Sequence, residues 1–427
     1  METALVILSF GLLIFLAHLF SVLFEKARVP DVLLLVFVGL IIGPATGLVD
    51  PEDIGRVGNI FAVVTLVIIL FESGLGLSVS TLRESMGRGI RLTVINFVAT
   101  LVVVVPLSLL MFHISALEAF ILGSIVGGTS SAVVIPTVSK LRLQPGSRTA
   151  LVLESTFSDV VVIVFALGFI QAFQHHELNP TIMLGTVLAS FLVAGIIGAI
   201  AAFFWSSVLN RVRQLKNSIL LTPAFVFVVY GITEVLGFSG AISALAFGIV
   251  LGNIEGLQKS LEQQPTLREL AFFRSVKLTF ALSETERIFF SEAVFLLKTF
   301  FFVYVGLSIR LTESALVVGG LALTLALFLI RIPVVRLALD KGVTRFDASV
   351  AAVMVPKGLA AAVMASVAVQ AGMENGLVIQ DVTYAIILFS IIATSVLTFL
   401  AEKGRLGQLY AYSFSKYATD TEVGQVD

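Results

Sequence analysis

The feature that most constrains this chain is a succession of unbroken apolar runs, each about as long as a bilayer is thick. A helix rising about 1.5 Å per residue needs roughly 20 apolar residues to cross hydrocarbon. The runs place thirteen spans, at 3–23, 32–48, 57–78, 92–112, 116–139, 149–172, 181–209, 219–237, 240–256, 290–309, 315–338, 348–371 and 382–401. They are continuous rather than alternating, which excludes a membrane barrel. Charged residues are 13% of the chain and hydrophobic residues 58%, against about 25% charged in a soluble globular protein. A single soluble core could not use that much apolar surface. Disorder and nucleic-acid modules are excluded on the same ground. The chain has no cysteine, so disulfides, thiolate metal sites and cysteine nucleophiles are excluded as well. No small-residue cleavage site follows 3–23, so this segment is expected to be a first span rather than a cleaved signal. The fold class expected is an all-α polytopic membrane protein.

Basic residues sort the loops. Lys26 and Arg28 follow span 1, Arg83, Arg88 and Arg91 span 3, and Lys140, Arg142 and Arg148 span 5. Arg211, Arg213 and Lys216 follow span 7, and Lys259, Arg268, Arg274, Lys277 and Arg287 span 9. Arg336, Lys341 and Arg345 surround the end of span 11, and Lys403, Arg405 and Lys416 follow span 13. The even-numbered loops hold only Arg56 and Arg310. The N-terminus is therefore expected outside and the C-terminus in the cytoplasm of a cell (inner) membrane. The long stretch 257–289 has mixed charge with spaced apolar residues and reads as an amphipathic cytoplasmic helix. Residues 402–427 read as a short, flexible cytoplasmic tail.

Thirteen spans divide into two repeats of six with span 7 as a linker. Partners then lie seven spans apart, and an odd offset makes the repeats inverted, as in many secondary transporters. Span 5 is interrupted by Gly127-Gly128-Thr129-Ser130-Ser131 and span 12 by Pro356-Lys357-Gly358. Gly and Pro interruptions in matching spans point to discontinuous helices that cross at a midplane site.

Ionisable groups at that depth are costly and mark function. Asp159 lies near the middle of span 6, with no fixed cation beside it in the segment. Desolvation there disfavours the ionised carboxylate, so a proton and a metal cation can compete for it. A hard alkali cation wants oxygen ligands. Thr129, Ser130, Ser131, Ser155, Thr156 and Ser158 could supply hydroxyls, and the helix breaks could supply carbonyls. Asp159, Ser158, Thr129, Ser130 and Ser155 are the residues chosen for ion and proton binding, with Asp159, Thr129 and Ser155 as ligands of Na⁺ or K⁺.

Glu154 lies five residues before Asp159, about 140° around the helix. Its depth matches that of Arg331 in span 11, so the two are expected to form a supporting ion pair. Lys357 is expected to compensate carbonyls exposed at the helix breaks. Lys298 is expected to snorkel toward the interface, and Glu72 to pair locally. His18, His113, His175 and His176 do not cluster as a zinc site would. No Gly-rich phosphate loop is present, so neither ATP nor another cofactor is expected.

These residues resemble the monovalent cation/proton antiporters of the bacterial and archaeal sodium/proton exchanger type, over about 1–400. The resemblance rests on Leu70-Phe71-Glu72-Ser73-Gly74-Leu75, the Thr129 break, and Glu154 to Asp159. It continues through Phe302-Val303-Tyr304-Val305-Gly306-Leu307, Arg331-Ile332-Pro333 and Pro356-Lys357-Gly358-Leu359. It implies one antiporter domain over 1–401 and a homodimer. Spans 1–3 and 8–10 would form the dimer domain, and spans 4–6 and 11–13 a mobile core. It implies that Asp159 carries cation and proton in turn during elevator-like exchange, with Glu154 and Arg331 in support. Ser158 stands where electroneutral members usually have Asn. Thr129-Ser130-Ser131 is closer to potassium-efflux relatives than to the Asp-Pro of many exchangers. A single carboxylate suggests one proton per cation, with Na⁺ and K⁺ both open. A cation channel, an intramembrane aspartyl protease and a proton-coupled organic anion transporter fit the residues less well.

Overall fold

The computed structural model describes residues 2–27, 31–49, 51–76, 79–174, 180–213, 218–254, 256, 282–310, 313–340, 342–403, 410 and 413–417. All regular elements among them are helices: α1 Glu2–Ala27, α2 Asp31–Leu40 with a π turn Ile41–Ala45, α3 Pro51–Gly76, α4 Val79–Phe112 and α5 Ala116–Ile125. There follow α6 Ser131–Lys140, α7 Pro145–Gln174, α8 Pro180–Val212, α9 Leu221–Val235 and α10 Gly240–Gly252. The last five are α11 Glu284–Leu307, α12 Ser314–Ala338, α13 Arg345–Val353, α14 Leu359–Gln370 and α15 Gly376–Glu402. Seven helices among the described residues are long and apolar enough to cross a bilayer, and shorter apolar helices accompany them.

The chain divides into two compact units. One comprises 1–60, 85–176 and 298–427, the other 61–84 and 177–297. In the second unit small residues bring backbones together. A Cβ on Gly198 of α8 would lie 3.0 Å from Ala246 Cβ of α10, and one on Gly74 of α3 3.1 Å from the Gly248 backbone. Around these crossings sit Phe71, Trp205, Phe225, Phe247 and Phe290, with Trp205 and Phe225 stacked at 4.4 Å. Small residues at the contact are how apolar helices associate where lipid removes the hydrophobic drive.

In the first unit α2 crosses the end of α11 at Gly39 and Gly306. A Cβ on Gly39 would lie 2.9 Å from Gly306 Cα. Near the same pair of helices Lys298 Nζ donates to Asp31 Oδ2 at 3.2 Å, both side chains being mostly buried. Lys298 therefore does not snorkel: a carboxylate lies within its reach inside the unit. A second contact of this kind, Gly320 of α12 against Ala385 of α15, sets the spacing of the long helices behind the site.

Three further expectations change. The helix through span 4 begins at Val79, not 92. An apolar window sees only the lipid-depth part of a helix, and the backbone ladder continues through Arg83, Arg88 and Arg91. Span 10 likewise begins at Glu284 rather than 290. Ser283 and Glu286 form a capping box there, with Ser283 N donating to Glu286 Oε2 at 2.7 Å and Glu286 N to Ser283 Oγ at 3.3 Å. The end of the expected amphipathic helix, 284–289, thus belongs to α11, while 257–281 lie outside the described residues. The tail is not uniformly loose. Phe414 and Tyr417 are buried in the same cluster as Val335, Leu339 and Val350. Tyr417 Oη donates to the carbonyls of Val335 (3.2 Å) and Leu339 (3.4 Å), and Arg345 Nε to Tyr417 O at 3.0 Å. The last carbonyls of a helix lack intrahelical donors; Lys416 Nζ supplies one to Arg336 O near the end of α12, while Tyr417 adds to the bond Val335 O already takes from Leu339 N.

Candidate cation site

The site is built where two helices stop. Span 5 stops after α5 and resumes as α6, leaving 126–130 non-helical; span 12 stops after α13 and resumes as α14, leaving 354–358 non-helical. Pro356 cannot donate an N–H and disfavours helical backbone at Val355. Gly128 lies so close to α7 that an added Cβ would be 2.7 Å from Val162 Cγ2 and 3.1 Å from Ser158 O. The two breaks touch: Ser130 N donates to Pro356 O at 2.7 Å, and Gly358 abuts the Ser130 side chain.

Breaking a helix inside a membrane strands carbonyls at its C-terminal half and leaves a negative dipole end. At the end of α5, Asn96 Nδ2 donates to Gly127 O at 3.0 Å and Lys357 Nζ to Gly128 O at 2.6 Å. The fully buried ammonium thus lies against the negative end of α5, while its own backbone N–H donates to Ser390 Oγ at 2.9 Å. At the end of α13, Thr394 Oγ1 donates to Val353 O at 3.1 Å and Arg331 Nε to Ala351 O at 3.0 Å.

Arg331 also faces Glu154. Its Nη2 donates to Glu154 Oε2 at 2.6 Å, and Nη1 contacts Oε1. Both side chains are essentially inaccessible. The paired planes use both carboxylate oxygens, the geometry for which guanidinium is suited. One side chain therefore ties α7, α12 and the end of α13 together.

Asp159 is different. It is partly buried on α7, and its Oδ2 accepts a hydrogen bond from Ser131 Oγ at 2.6 Å. Ser131 is the first residue of α6, so the carboxylate lies at the positive end of that half-helix. Among the described residues Asp159 forms no ion pair. The other hydroxyls divide. Thr129 N donates to Ser158 Oγ at 2.9 Å, Thr129 Oγ1 lies 3.3 Å from it, and Ser158 Oγ is 3.2 Å from Thr129 O. Ser158 and Thr129 therefore fasten the span 5 break to α7. Ser155 Oγ and Thr156 Oγ1 each donate back to Val152 O at 2.9 Å. The buried Ser130 hydroxyl has no hydrogen-bond partner among the described residues. Of the hydroxyls around the break, Ser131 is the one that touches Asp159, although it was not among the chosen binding residues. Asn96, Ser390 and Thr394 were missed altogether. Each is a small polar residue in an apolar run, Thr394 with Ser395 beside it, and only the crossing of the breaks reveals which carbonyl or amide it serves.

A family model described as sodium/hydrogen exchanger, transmembrane, matches residues 11–403. Na(+)/H(+) antiporter 1 of Methanocaldococcus jannaschii is 25% identical over 344 residues, 78% of this chain and 75% of that one. K(+)/H(+) antiporter NhaP2 of Shewanella oneidensis is 24% identical over 250 residues, 57% of this chain and less than half (43%) of that one. The fold resembles the solved sodium proton antiporter MjNhaP1 of M. jannaschii, with TM-score 0.72 and 20% identity over 93% of this chain and 100% of that chain. These are transport proteins rather than enzymes. Nearly the whole chain, with its paired helix breaks, belongs to the sodium/hydrogen exchanger family of integral membrane proteins.

Proposed function

We propose that this protein exchanges a monovalent alkali cation, Na⁺ or K⁺, for a proton, with Asp159 as the group that carries each in turn. The observation that carries this reading is the isolation of Asp159. Glu154 is neutralised by Arg331 and Lys357 is turned to Gly128 O, while Asp159 has, among the described residues, only the Ser131 hydroxyl and a helix N-terminus. A carboxylate held this way can lose its proton to the aqueous side and take a dehydrated cation. The hydroxyls of Ser131, Ser130, Thr129, Ser155 and Ser158, at the break of span 5 and on α7, are the oxygens proposed to join it. One such carboxylate makes the exchange electroneutral, one proton for one cation.

Obligatory exchange follows if the core crosses the membrane only when Asp159 is neutralised. In this reading spans 4–6 and 11–13 move as an elevator against spans 1–3 and 8–10, which form the homodimer contact. The thirteen spans are two inverted repeats, the N-terminus is outside the cell membrane, and 402–427 is cytoplasmic. K⁺ is kept beside Na⁺ because relatives named for each ion match the chain. The test is pH-dye exchange in proteoliposomes with Li⁺, Na⁺, K⁺ and Rb⁺ in turn. Asp159→Asn should abolish exchange for every ion while the protein stays folded, and full exchange by that variant refutes the reading.

A further inference from the structure

The ion pairs of the first unit sort by the helices they join. Glu154–Arg331 joins α7 to α12, and Arg88 and Arg91 on α4 meet Asp340 just after α12. These lie wholly within the spans of the mobile core. Lys298–Asp31 joins α11 to α2, wholly within the dimer domain. Arg310–Asp381 alone among these runs from one set to the other, with Arg310 Nε 3.6 Å from Asp381 Oδ1.

Its two ends are held differently. Arg310 follows α11 by three residues, on a turn closed by Ser308 N to Tyr304 O (3.0 Å) and Ile309 N to Gly306 O (3.4 Å). The same Gly306 packs on Gly39 of α2, so Arg310 is anchored to the dimer-domain helices. Asp381 lies in the second turn of α15, whose Ala385 packs on Gly320 of α12. The Asp381 side chain is 6% exposed and the Arg310 side chain 45%. Asp381 Oδ1 is buried and has no hydrogen-bond partner among the described residues. The neighbouring Gln380 turns to Ser366 and Tyr384, 3.2 Å from each, and so does not serve Asp381. A buried carboxylate is thus compensated by one half-exposed guanidinium attached to the other set of helices.

We propose that Arg310 and Asp381 form an outer-face latch, a pair of positioning residues that sets the balance between the two access states. The proposal rests on the alternating-access reading above. A core displacement carries Asp381 away from Arg310 and leaves a buried charge unpaired. The pair therefore favours the arrangement in which it is closed. In a two-state exchanger the apparent affinity at each face scales with the fraction of protein open to that face. Weakening the latch must then move the two affinities in opposite directions.

The test measures the half-saturating cation concentration separately at each face of oriented proteoliposomes. Arg310→Ala should shift the two values oppositely, each by about three- to tenfold. Asp381→Asn should shift them in the same directions and by a similar factor, because either change abolishes the attraction that distinguishes the two states. The exchanged pair Arg310→Asp with Asp381→Arg should return both to within about twofold of the parent. Unchanged values at both faces, or shifts in the same direction, overturn the latch. An Asp159→Asn protein that still exchanges refutes the carrier reading itself, whereas an inactive Asp159→Asn with an unshifted Arg310→Ala refutes the latch alone.

Discussion

Arg331→Ala is the substitution whose cost the structure defines most closely. The Arg331 side chain is fully buried and makes three contacts, two to the Glu154 carboxylate and one to Ala351 O. Truncation leaves a buried carboxylate without its counter-charge, which costs roughly 3–5 kcal/mol. It also leaves a carbonyl at the end of α13 without a donor, worth about 1 kcal/mol more. With an unfolding entropy of about 2.1 cal/mol/K per residue, a loss of about 4–6 kcal/mol lowers the Tm of a cooperative 427-residue chain by roughly 4–7 °C. The measurement is a thermal melt in detergent for Arg331→Ala, Glu154→Gln and the double variant. Each single change strands one buried charge, while the double change strands neither. The double variant should therefore melt above the more damaged single, with a coupling of about 2–3 kcal/mol. Strict additivity would refute the reasoning, since it would mean that the two groups do not stabilise each other in the folded protein.

Three further outcomes are expected. Gly358→Ala places a methyl group into Ser130 where the breaks meet; overpacking of about 1–3 kcal/mol should lower both Tm and exchange, and adding Ser130→Gly should restore the Tm. Burial pushes the Tyr417 hydroxyl up to about 12 from an ordinary value near 10, so its contribution is complete below pH 10 and fades as pH rises through about 12. Tyr417→Phe should remove that alkaline loss of docking, and Phe414→Ala should expose 403–417 to protease at neutral pH by losing a fully buried ring.

Much of the frame is legible because a bilayer leaves few choices. Apolar runs must be helices, so the spans appear wherever hydrophobicity persists. Gly127-Gly128 and Pro356 mark the breaks because both residue types weaken a helix, although Pro106, Pro136 and Pro333 sit inside helices. The Glu154–Arg331 contact follows from depth, since two opposite charges at one level inside hydrocarbon have little alternative but each other. Helix ends were harder. α4 and α11 begin in polar sequence that carries no hydropathy signal, though the Ser283–Glu286 capping box was available as a cue.

The hydroxyls show where sequence reasoning stops. Thr129, Ser130, Ser131, Ser155 and Ser158 are equivalent as text, and all could be ligands. In the fold Ser131 meets Asp159, Thr129 and Ser158 bind each other, Ser155 bonds its own helix, and Ser130 packs on Gly358. Lys298 and the segment around Tyr417 follow the same rule, each paired with groups distant in sequence. The sequence by itself determined that the chain crosses the membrane, where its helices break and which charges lie deep, because those follow from local composition and the cost of burial. Only tertiary structure decided which hydroxyl faces the carboxylate, which cation serves which carbonyl and which ion pair joins α15 to the turn after α11, because those depend on rotations and crossings a few ångströms in size.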